Sequence, residues 1–557
     1  MLRSKQRVIV LGLDGATWTL LGPWIEAGRL PNLARLMAQG VHGDLRSTVP
    51  PYTAPAWTSF ATGKGPGKHG IVDFWRFSWD THNRSPIDAQ RVRPATFWSI
   101  LSRNGLRVGV VNVPITYPPY SVNGIMISGM LTPSEDADYT FPRLLKTEIR
   151  SAVGDYAANP YASVSQTSAF LMRVAYWIRQ RERANQYLLS TCGFDCFVNV
   201  IQAPDPIQHQ FWKLLDPNHP LFDEQEAAHF RPYILECYRA VDEVVGRRMD
   251  MLDSHTQLFV LSDHGFGPAQ KYFNVNRFLA GLGLLVLQNQ TDGERSLGAL
   301  RKSMISWAGK VVRRADVLGL RHRLLDNRQR EALRHHLDRA VTHPIDWSCT
   351  QAYFASLTSE SIYVRVRGRD AGGLVEPGAE YEALRDRVIR ALLDVRDPET
   401  GEAVVADAYR REEVYNGSRL EELPDIVFSL GKRPYLPSEQ LAPSAIVQDL
   451  PAEAGGGRHQ PNGIFLAAGA GIRRNTVLEG AQIVDLAPTI LYALGVPVPQ
   501  DMDGRVLTEA FDPEFVGTHP VQFGLPTPVD DVRAGPVYTA DEADAIESHL
   551  RDLGYLE

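Results

Sequence analysis

The run Val8-Ile9-Val10-Leu11-Gly12-Leu13, closed by Asp14-Gly15, constrains the fold of this chain more than any other segment. A short apolar stretch that stops on an acidic residue has the form of a strand buried on both faces, with a polar group presented at its carboxyl end. The form recurs at Val108-Gly109-Val110-Val111 before Asn112, at Cys196-Phe197-Val198-Asn199-Val200-Ile201, and at Gln257-Leu258-Phe259-Val260-Leu261 before Ser262-Asp263. Helical patterns lie between them: an amphipathic stretch from Pro31 to Met37, another beginning at Phe97-Trp98-Ser99-Ile100-Leu101 and ending near Gly105, and a third around Phe170 to Leu189. Strands alternating with helices predict an α/β fold, a doubly wound and mainly parallel sheet flanked by helices, whose ligands bind beyond the carboxyl ends of the strands.

The length of 557 residues allows two to four folding units, or one large α/β domain carrying insertions. Residues 1–112, 191–284 and 351–525 are expected to form a discontinuous core. Residues 113–190, which open with the Pro/Tyr-rich loop Pro114-Ile115-Thr116-Tyr117-Pro118-Pro119-Tyr120, are expected to be a cap-like insertion. Residues 285–350 are expected to be a basic helical insertion, with Arg301, Lys302, Lys310, Arg313, Arg314, Arg321, Arg323, Arg328, Arg330, Arg334 and Arg339 among leucines and valines. Such a stretch steers an anionic substrate or touches an acidic surface or lipid headgroups, unless its arginines simply pair with local carboxylates. Residues 526–557 read as a C-terminal tail with a helix from Ala540 to Leu553, ending in Gly554-Tyr555.

The net charge of −7 gives no hint of a nucleic-acid surface, so no polymer partner is expected. Four cysteines, Cys192, Cys196, Cys237 and Cys349, complete no paired zinc motif and read as reduced thiols of a reducing compartment. The basic start before Val8 superficially resembles a signal peptide, but Asp14 interrupts the apolar run too early and no small-residue cleavage site follows. No apolar stretch of about 18 residues occurs. A soluble, cytoplasmic protein is therefore expected, with its oligomeric state left open.

Oxygen and imidazole donors gather where the apolar runs break. In Asp205-Pro206-Ile207-Gln208-His209 the carboxylate and imidazole share one face of a helical turn. Asp263-His264-Gly265 follows a buried strand, and the glycine lets the backbone turn away. Asp14 ends the first strand, and His459 lies in Gly455-Gly456-Gly457-Arg458-His459, where an exposed loop histidine is the plain alternative. Together they offer two sets of three donors: Asp205, His209 and His459 for one ion, and Asp14, Asp263 and His264 for another. Carboxylates mixed with imidazoles suit zinc, manganese or iron better than calcium. Thr53, in Thr53-Ala54-Pro55, is a candidate nucleophile at a helix start, with a simple capping role as its alternative.

In this order the set resembles the alkaline phosphatase superfamily: Asp14-Gly15, Thr53-x-Pro55 with Thr62-Gly63 and His69-Gly70-Ile71, Asp205-x-x-x-His209, Asp263-His264-Gly265 and His459. Within it the chain looks most like the type I phosphodiesterase/nucleotide pyrophosphatase branch and its bacterial predicted phosphohydrolase and phosphomutase relatives. The likeness spans about residues 7–280 and 455–510, and includes Asp485-Leu486-Ala487-Pro488-Thr489 and Asp501-Met502-Asp503-Gly504. It implies two divalent metal ions about 4 Å apart, zinc in the first instance. It implies that Asp205, His209 and His459 hold the ion that activates water, while Asp14, Asp263 and His264 hold the ion that contacts and activates Thr53.

The same resemblance implies metal-dependent hydrolysis of phosphodiester or pyrophosphate bonds of a small anionic substrate through a phosphothreonine. Phosphomonoester hydrolysis, phosphomutase action and non-catalytic anion binding on the same fold are the alternatives. Sulfatases carry Cys or Ser followed by Arg where this chain has Thr53 and Trp57. Nucleotide pyrophosphatases carry a phosphoryl-contacting Asn near the position of Phe74. Phe74, Trp57 and Lys64 are accordingly expected to line the substrate.

Overall fold

Each of the four apolar runs forms a strand, and all four are neighbours. The computed structural model describes residues 6–78, 84–92, 94–160, 165–288, 345–441, 445–527 and 537–555. Its principal sheet contains β1 (Arg7–Leu13), β2 (Val41–Arg46), β3 (Val108–Val113), β4 (Gly124–Ser128), β5 (Thr140–Phe141), β6 (Cys196–Ile201), β7 (Thr256–Leu261), β8 (Asn462–Gly469) and β9 (Thr476–Gln482). Their order across the sheet is β9-β2-β8-β7-β1-β6-β3-β4-β5. β8 runs antiparallel to β2 and β7, and β5 antiparallel to β4; the other neighbours are parallel.

Alternate residues of the central strands enter opposite cores. Ile9, Leu11 and Leu13 pack with Leu258, Val260 and Leu466 on one face, while Val8 and Val10 pack with Val198, Phe259 and Phe465 on the other. Two covered faces explain why the strands read as unbroken apolar runs rather than alternating ones. Gly12 points to the second face, where an added Cβ would stand 2.4 Å from the Trp57 ring. Its missing side chain lets the helix that carries Trp57, α1 (Thr53–Thr62), lie close against β1.

The expected helices also form, with small shifts at their ends: Pro31–Gln39, Phe97–Arg103, α2 (Ser168–Cys192) and, last in the chain, Ala540–Leu553. α2 packs beside α4 (Glu224–Met249), which follows α3 (Pro204–Leu215), and Arg248 donates to both oxygens of the buried Glu182 at 2.8 and 2.6 Å. All four cysteines are free.

Two of the expected divisions lie as follows. Residues 113–190, expected as a cap-like insertion, supply β4, β5 and most of α2 to the principal sheet and its helix layer. Residues 351–441, expected within the core, build a separate four-stranded antiparallel sheet from Ala352–Phe354, Ser361–Val364, Ile426–Ser429 and Asp407–Arg410. That sheet has its own apolar cluster around Phe273, Phe354, Val364 and Phe428, because its strands pack on 271–288 and not on the principal sheet. The arginine-rich stretch from Arg301 to Arg339 lies outside the described residues. No helix among the described residues is long and apolar enough to cross a membrane.

Candidate active site

The carboxyl ends of β1, β6 and β7 deliver the donors to one place. Asp14 follows β1, and Gly15 turns the chain with φ +68, a conformation that glycine adopts without strain. The Gly15 N–H donates to Asp263 Oδ1 at 3.1 Å, and Gln208 Nε2 donates to the Gly15 carbonyl at 2.7 Å. Three of the motifs are thereby tied to each other through backbone and amide contacts. Asp205 sits in the first turn of α3, and His209 one turn later, as the four-residue spacing requires.

His459, expected as a donor with an exposed loop histidine as the alternative, is not exposed. It is buried on the short strand Gly457–Gln460, opposite Phe266 in an antiparallel pair with Gly265–Pro268. The glycine run serves close approach: a Cβ on Gly455 would stand 1.9 Å from the His209 carbonyl oxygen, and one on Gly457 2.2 Å from that of Gln208. Only glycine lets this strand lie against α3.

The six expected donors form two groups of three, Asp205, His209 and His459, and Asp14, Asp263 and His264, with ligand atoms within 4.8 Å of one another in each. Their hydrogen bonds assign the imidazole tautomers. His264 Nδ1–H donates to the Gly265 carbonyl at 3.1 Å and His459 Nδ1–H to that of Pro51 at 3.2 Å, which leaves both Nε2 atoms as lone pairs. The His459 Nε2 lone pair faces Asp205 Oδ1 at 3.1 Å and His209 Nε2 at 2.9 Å, and that of His264 faces Asp263 Oδ2 at 3.3 Å and Asp14 Oδ1 at 3.6 Å. Both Asp14 oxygens and Asp263 Oδ2 lack a hydrogen-bond partner.

Lone pairs pointed at buried carboxylate oxygens repel unless a cation lies among them, and imidazoles held by Nδ1–H to carbonyls are the arrangement metal ligands adopt. The donor set therefore fits divalent cations of the zinc type. The electrostatics agree. Burial, then the neighbouring Asp263 and Asp205, hold the Asp14 carboxyl well above the usual range, and burial does the same to Asp263. Burial pushes His209 down to about 4 and His459 down to about 3, and holds His264 well below the usual imidazole value.

Thr53 is the first residue of α1, with Tyr52 at the N-cap position and making no side-chain cap. The Thr53 hydroxyl is therefore free of a capping role, and lies 3.1 Å from His264 Nε2 and 3.0 Å from the Tyr555 hydroxyl. A helix N-terminus favours negative charge on a ligand or on the hydroxyl itself. The far end of α1 is pinned by the Asp501 to Gly504 segment: the Asp503 N–H donates to the Gly63 carbonyl at 2.8 Å, and the Gly65 N–H to Asp503 Oδ2 at 2.8 Å.

The three residues expected to line the substrate are buried in this arrangement. Lys64 is buried with its ammonium committed to Asp501 and to Thr527 Oγ1. Trp57 is buried in the core, edge-on to Phe60 and lying over Gly12. Phe74 is fully buried and meets Tyr555 edge-on at 5.0 Å between ring centres, so its contact is with a residue of the chain. Tyr555 itself is not among the expected site residues. The one signal for it in the sequence is an aromatic residue placed directly after a helix-ending glycine.

Beside Phe74, the buried Asp73 accepts from Thr358 Oγ1 at 2.6 Å and joins this segment to the smaller sheet. Burial raises its carboxyl to about 6. Against an unfolded value of about 3.9, the shift gives the fold a contribution that is full below pH ~4 and is lost as pH rises through 6. Denaturant titrations of Asp73→Asn and the natural chain should therefore diverge in the variant's favour by up to about 3 kcal/mol between pH 4 and 7. A difference independent of pH would remove Asp73 as the titrating group.

A doubly wound, mainly parallel sheet flanked by helices is the fold of the alkaline phosphatase superfamily. The chain belongs to the type I phosphodiesterase / nucleotide pyrophosphatase family, whose model matches residues 8–443, and phosphoester hydrolysis is the chemistry of that class. Among solved structures it is similar to the phosphonoacetate hydrolase of Sinorhizobium meliloti 1021 in complex with phosphonoformate. There the identity is 16%, the cover 88% of this chain and 95% of that one, and the TM-score 0.49. Human ectonucleotide pyrophosphatase / phosphodiesterase 5 matches at 14% identity over 91% of this chain and 98% of its own, with a TM-score of 0.46. The murine protein matches at 14%, 91% and 100%, with a TM-score of 0.47.

Proposed function

We propose that this chain hydrolyses phosphodiester or pyrophosphate bonds of small organic phosphates, with Thr53 as the nucleophile. The observation that carries the proposal is the position of the Thr53 hydroxyl at the start of α1, 3.1 Å from His264 Nε2 of one donor group and linked through the Tyr555 hydroxyl to Asp205 of the other. Divalent cations held by Asp205, His209 and His459, and by Asp14, Asp263 and His264, would lower the pKa of a hydroxyl or water and neutralise phosphoryl charge. Thr53 Oγ bonds to phosphorus as the bond to the leaving oxygen breaks, with the nucleophile and leaving group in line. The Thr53 proton is released to solvent water, and the leaving oxygen is protonated by solvent. Water then cleaves the phosphothreonine, returning the hydroxyl and releasing the phosphoryl product.

The preference for diesters rests on charge. A phosphomonoester brings a dianion, whereas a diester brings one negative charge. Lys64 is committed to Asp501, and Arg458, next to His459, to Glu360 at 3.0 Å, so neither is available for a second substrate charge. With zinc-loaded or manganese-loaded protein, bis-p-nitrophenyl phosphate is expected to show kcat/KM at least about tenfold above p-nitrophenyl phosphate, a difference of about 1.4 kcal/mol. A monoester rate equal to or above the diester rate would favour the phosphomonoesterase or phosphomutase reading.

A further inference from the structure

Thr53 cannot meet a substrate in the arrangement described, because Tyr555 stands on it. The helix α5 (Ala540–Leu553) opens with a capping box between Thr539 and Glu542 and buries Ile546, Leu550 and Leu553 in the core that also holds Ile9 and Leu11. Polar contacts flank this face, from Arg84 to Glu547 Oε1 at 2.8 Å and from the Tyr538 hydroxyl to the Leu131 carbonyl at 3.1 Å. Gly554, at φ +96, ends the helix in a conformation suited to glycine and turns the chain against the His209 ring. The Tyr555 ring then inserts among Phe74, His209 and His459, at 5.0, 5.4 and 5.7 Å between ring centres.

The phenol donates to Asp205 Oδ2 at 2.8 Å and lies 3.0 Å from Thr53 Oγ1. Its single proton is used on Asp205, so towards Thr53 it offers a lone pair, which shares the one threonine proton with the His264 Nε2 lone pair. Thr53 is thereby held as a hydrogen-bonded hydroxyl. Tyr555 is 2% exposed, and Thr53, Asp14, Asp205 and Asp263 are 0% exposed. A phosphorus atom attacked by Thr53 must come within about 3–3.5 Å of Oγ. The phenol oxygen, 3.0 Å from Oγ1, already stands within that distance, so a phosphoryl group cannot enter beside it.

We infer that the segment 537–555 is an intramolecular competitor for the phosphoryl site: the Tyr555 hydroxyl occupies the place of a phosphoryl oxygen, and turnover requires it to leave. The inference rests on Thr53 being the nucleophile. A site that is open only part of the time binds substrate with an affinity reduced by the open fraction. A phosphoryl group that can displace the phenol is in turn favoured over one that cannot, so the segment also selects among substrates.

The test uses the full-length, zinc-loaded protein and bis-p-nitrophenyl phosphate. Tyr555→Ala is expected to raise kcat/KM about tenfold or more, and Glu547→Lys, which opposes Arg84 far from the donors, to raise it about threefold. Saturating inorganic phosphate is expected to make the segment 537–555 of the natural chain a preferred site of limited proteolysis. Both variants at or below the natural rate with an unchanged Tm, and a segment that phosphate leaves protected, would overturn the inference. Thr53→Ala, assayed alongside, separates the two levels. Loss of turnover there with no gain in Tyr555→Ala removes the competitor and leaves the nucleophile standing, whereas turnover surviving in Thr53→Ala removes the reading on which it rests.

Discussion

Replacing Thr53 with alanine is expected to lower kcat for bis-p-nitrophenyl phosphate by on the order of 10³-fold or more, which is the scale on which enzymes lose rate when their nucleophile is removed. The loss should fall on kcat, because Thr53 forms the new bond to phosphorus, and much less on KM. All six aspartate and histidine donors remain in the variant, so metal content by elemental analysis should stay close to that of the natural chain. The fold should also persist. The change removes a buried hydroxyl whose one proton lies between His264 and Tyr555, a cost on the order of 1 kcal/mol. A variant that keeps more than a tenth of the natural kcat would refute Thr53 as nucleophile.

Dialysis against a strong chelator is expected to abolish turnover, and zinc or manganese to restore it. The physical ground is the cost of the donor groups without a cation. Asp14, Asp205 and Asp263 are fully buried, both Asp14 oxygens and one of Asp263 have no hydrogen-bond partner, and the imidazole lone pairs face the carboxylates. Removing one partner of such a buried charged set leaves the others uncompensated. A cation that binds only the folded chain adds about 4 kcal/mol at a thousand times its dissociation constant, so Tm should rise clearly on loading. Replacing both Asp14 and His264 with alanine should remove part of that rise, whereas replacing Asp501 should not. A Tm indifferent to zinc and manganese would contradict the assignment of these residues as ligands.

The parts of the fold that the sequence makes legible are those governed by local burial. Val8 to Leu13 is apolar without alternation because helices cover both faces of the sheet, and Asp14 follows because the strand ends there. The helix over Ala540–Leu553 is equally local, since its cap and its apolar spacing lie within the segment. Donor residues at strand ends and at helical spacing are legible for the same reason.

What escapes a linear reading depends on contacts between distant segments. The glycines before His459 suggest a loop, and only the approach of α3 shows that they exist to admit its backbone. Lys64 has the charge of a phosphate contact, and only the arrival of Asp501 takes it away. The Pro/Tyr-rich stretch after Val113 hides two strands that are short and lie at the edge of the sheet. Tyr555 reaches Thr53 across 502 positions of sequence, and nothing in its neighbours marks that distance.

The central claim is that phosphorus becomes bonded to Thr53 during turnover. Rapid acid quenching of metal-loaded protein mixed with bis-p-nitrophenyl phosphate, followed by proteolysis and mass spectrometry, tests it directly. The expected result is a p-nitrophenyl phosphoryl group on the hydroxyl of Thr53 that forms within the first turnover and disappears as substrate is exhausted. Steady turnover with no phosphoryl group on the Thr53 peptide, or with one on a different residue, would contradict it.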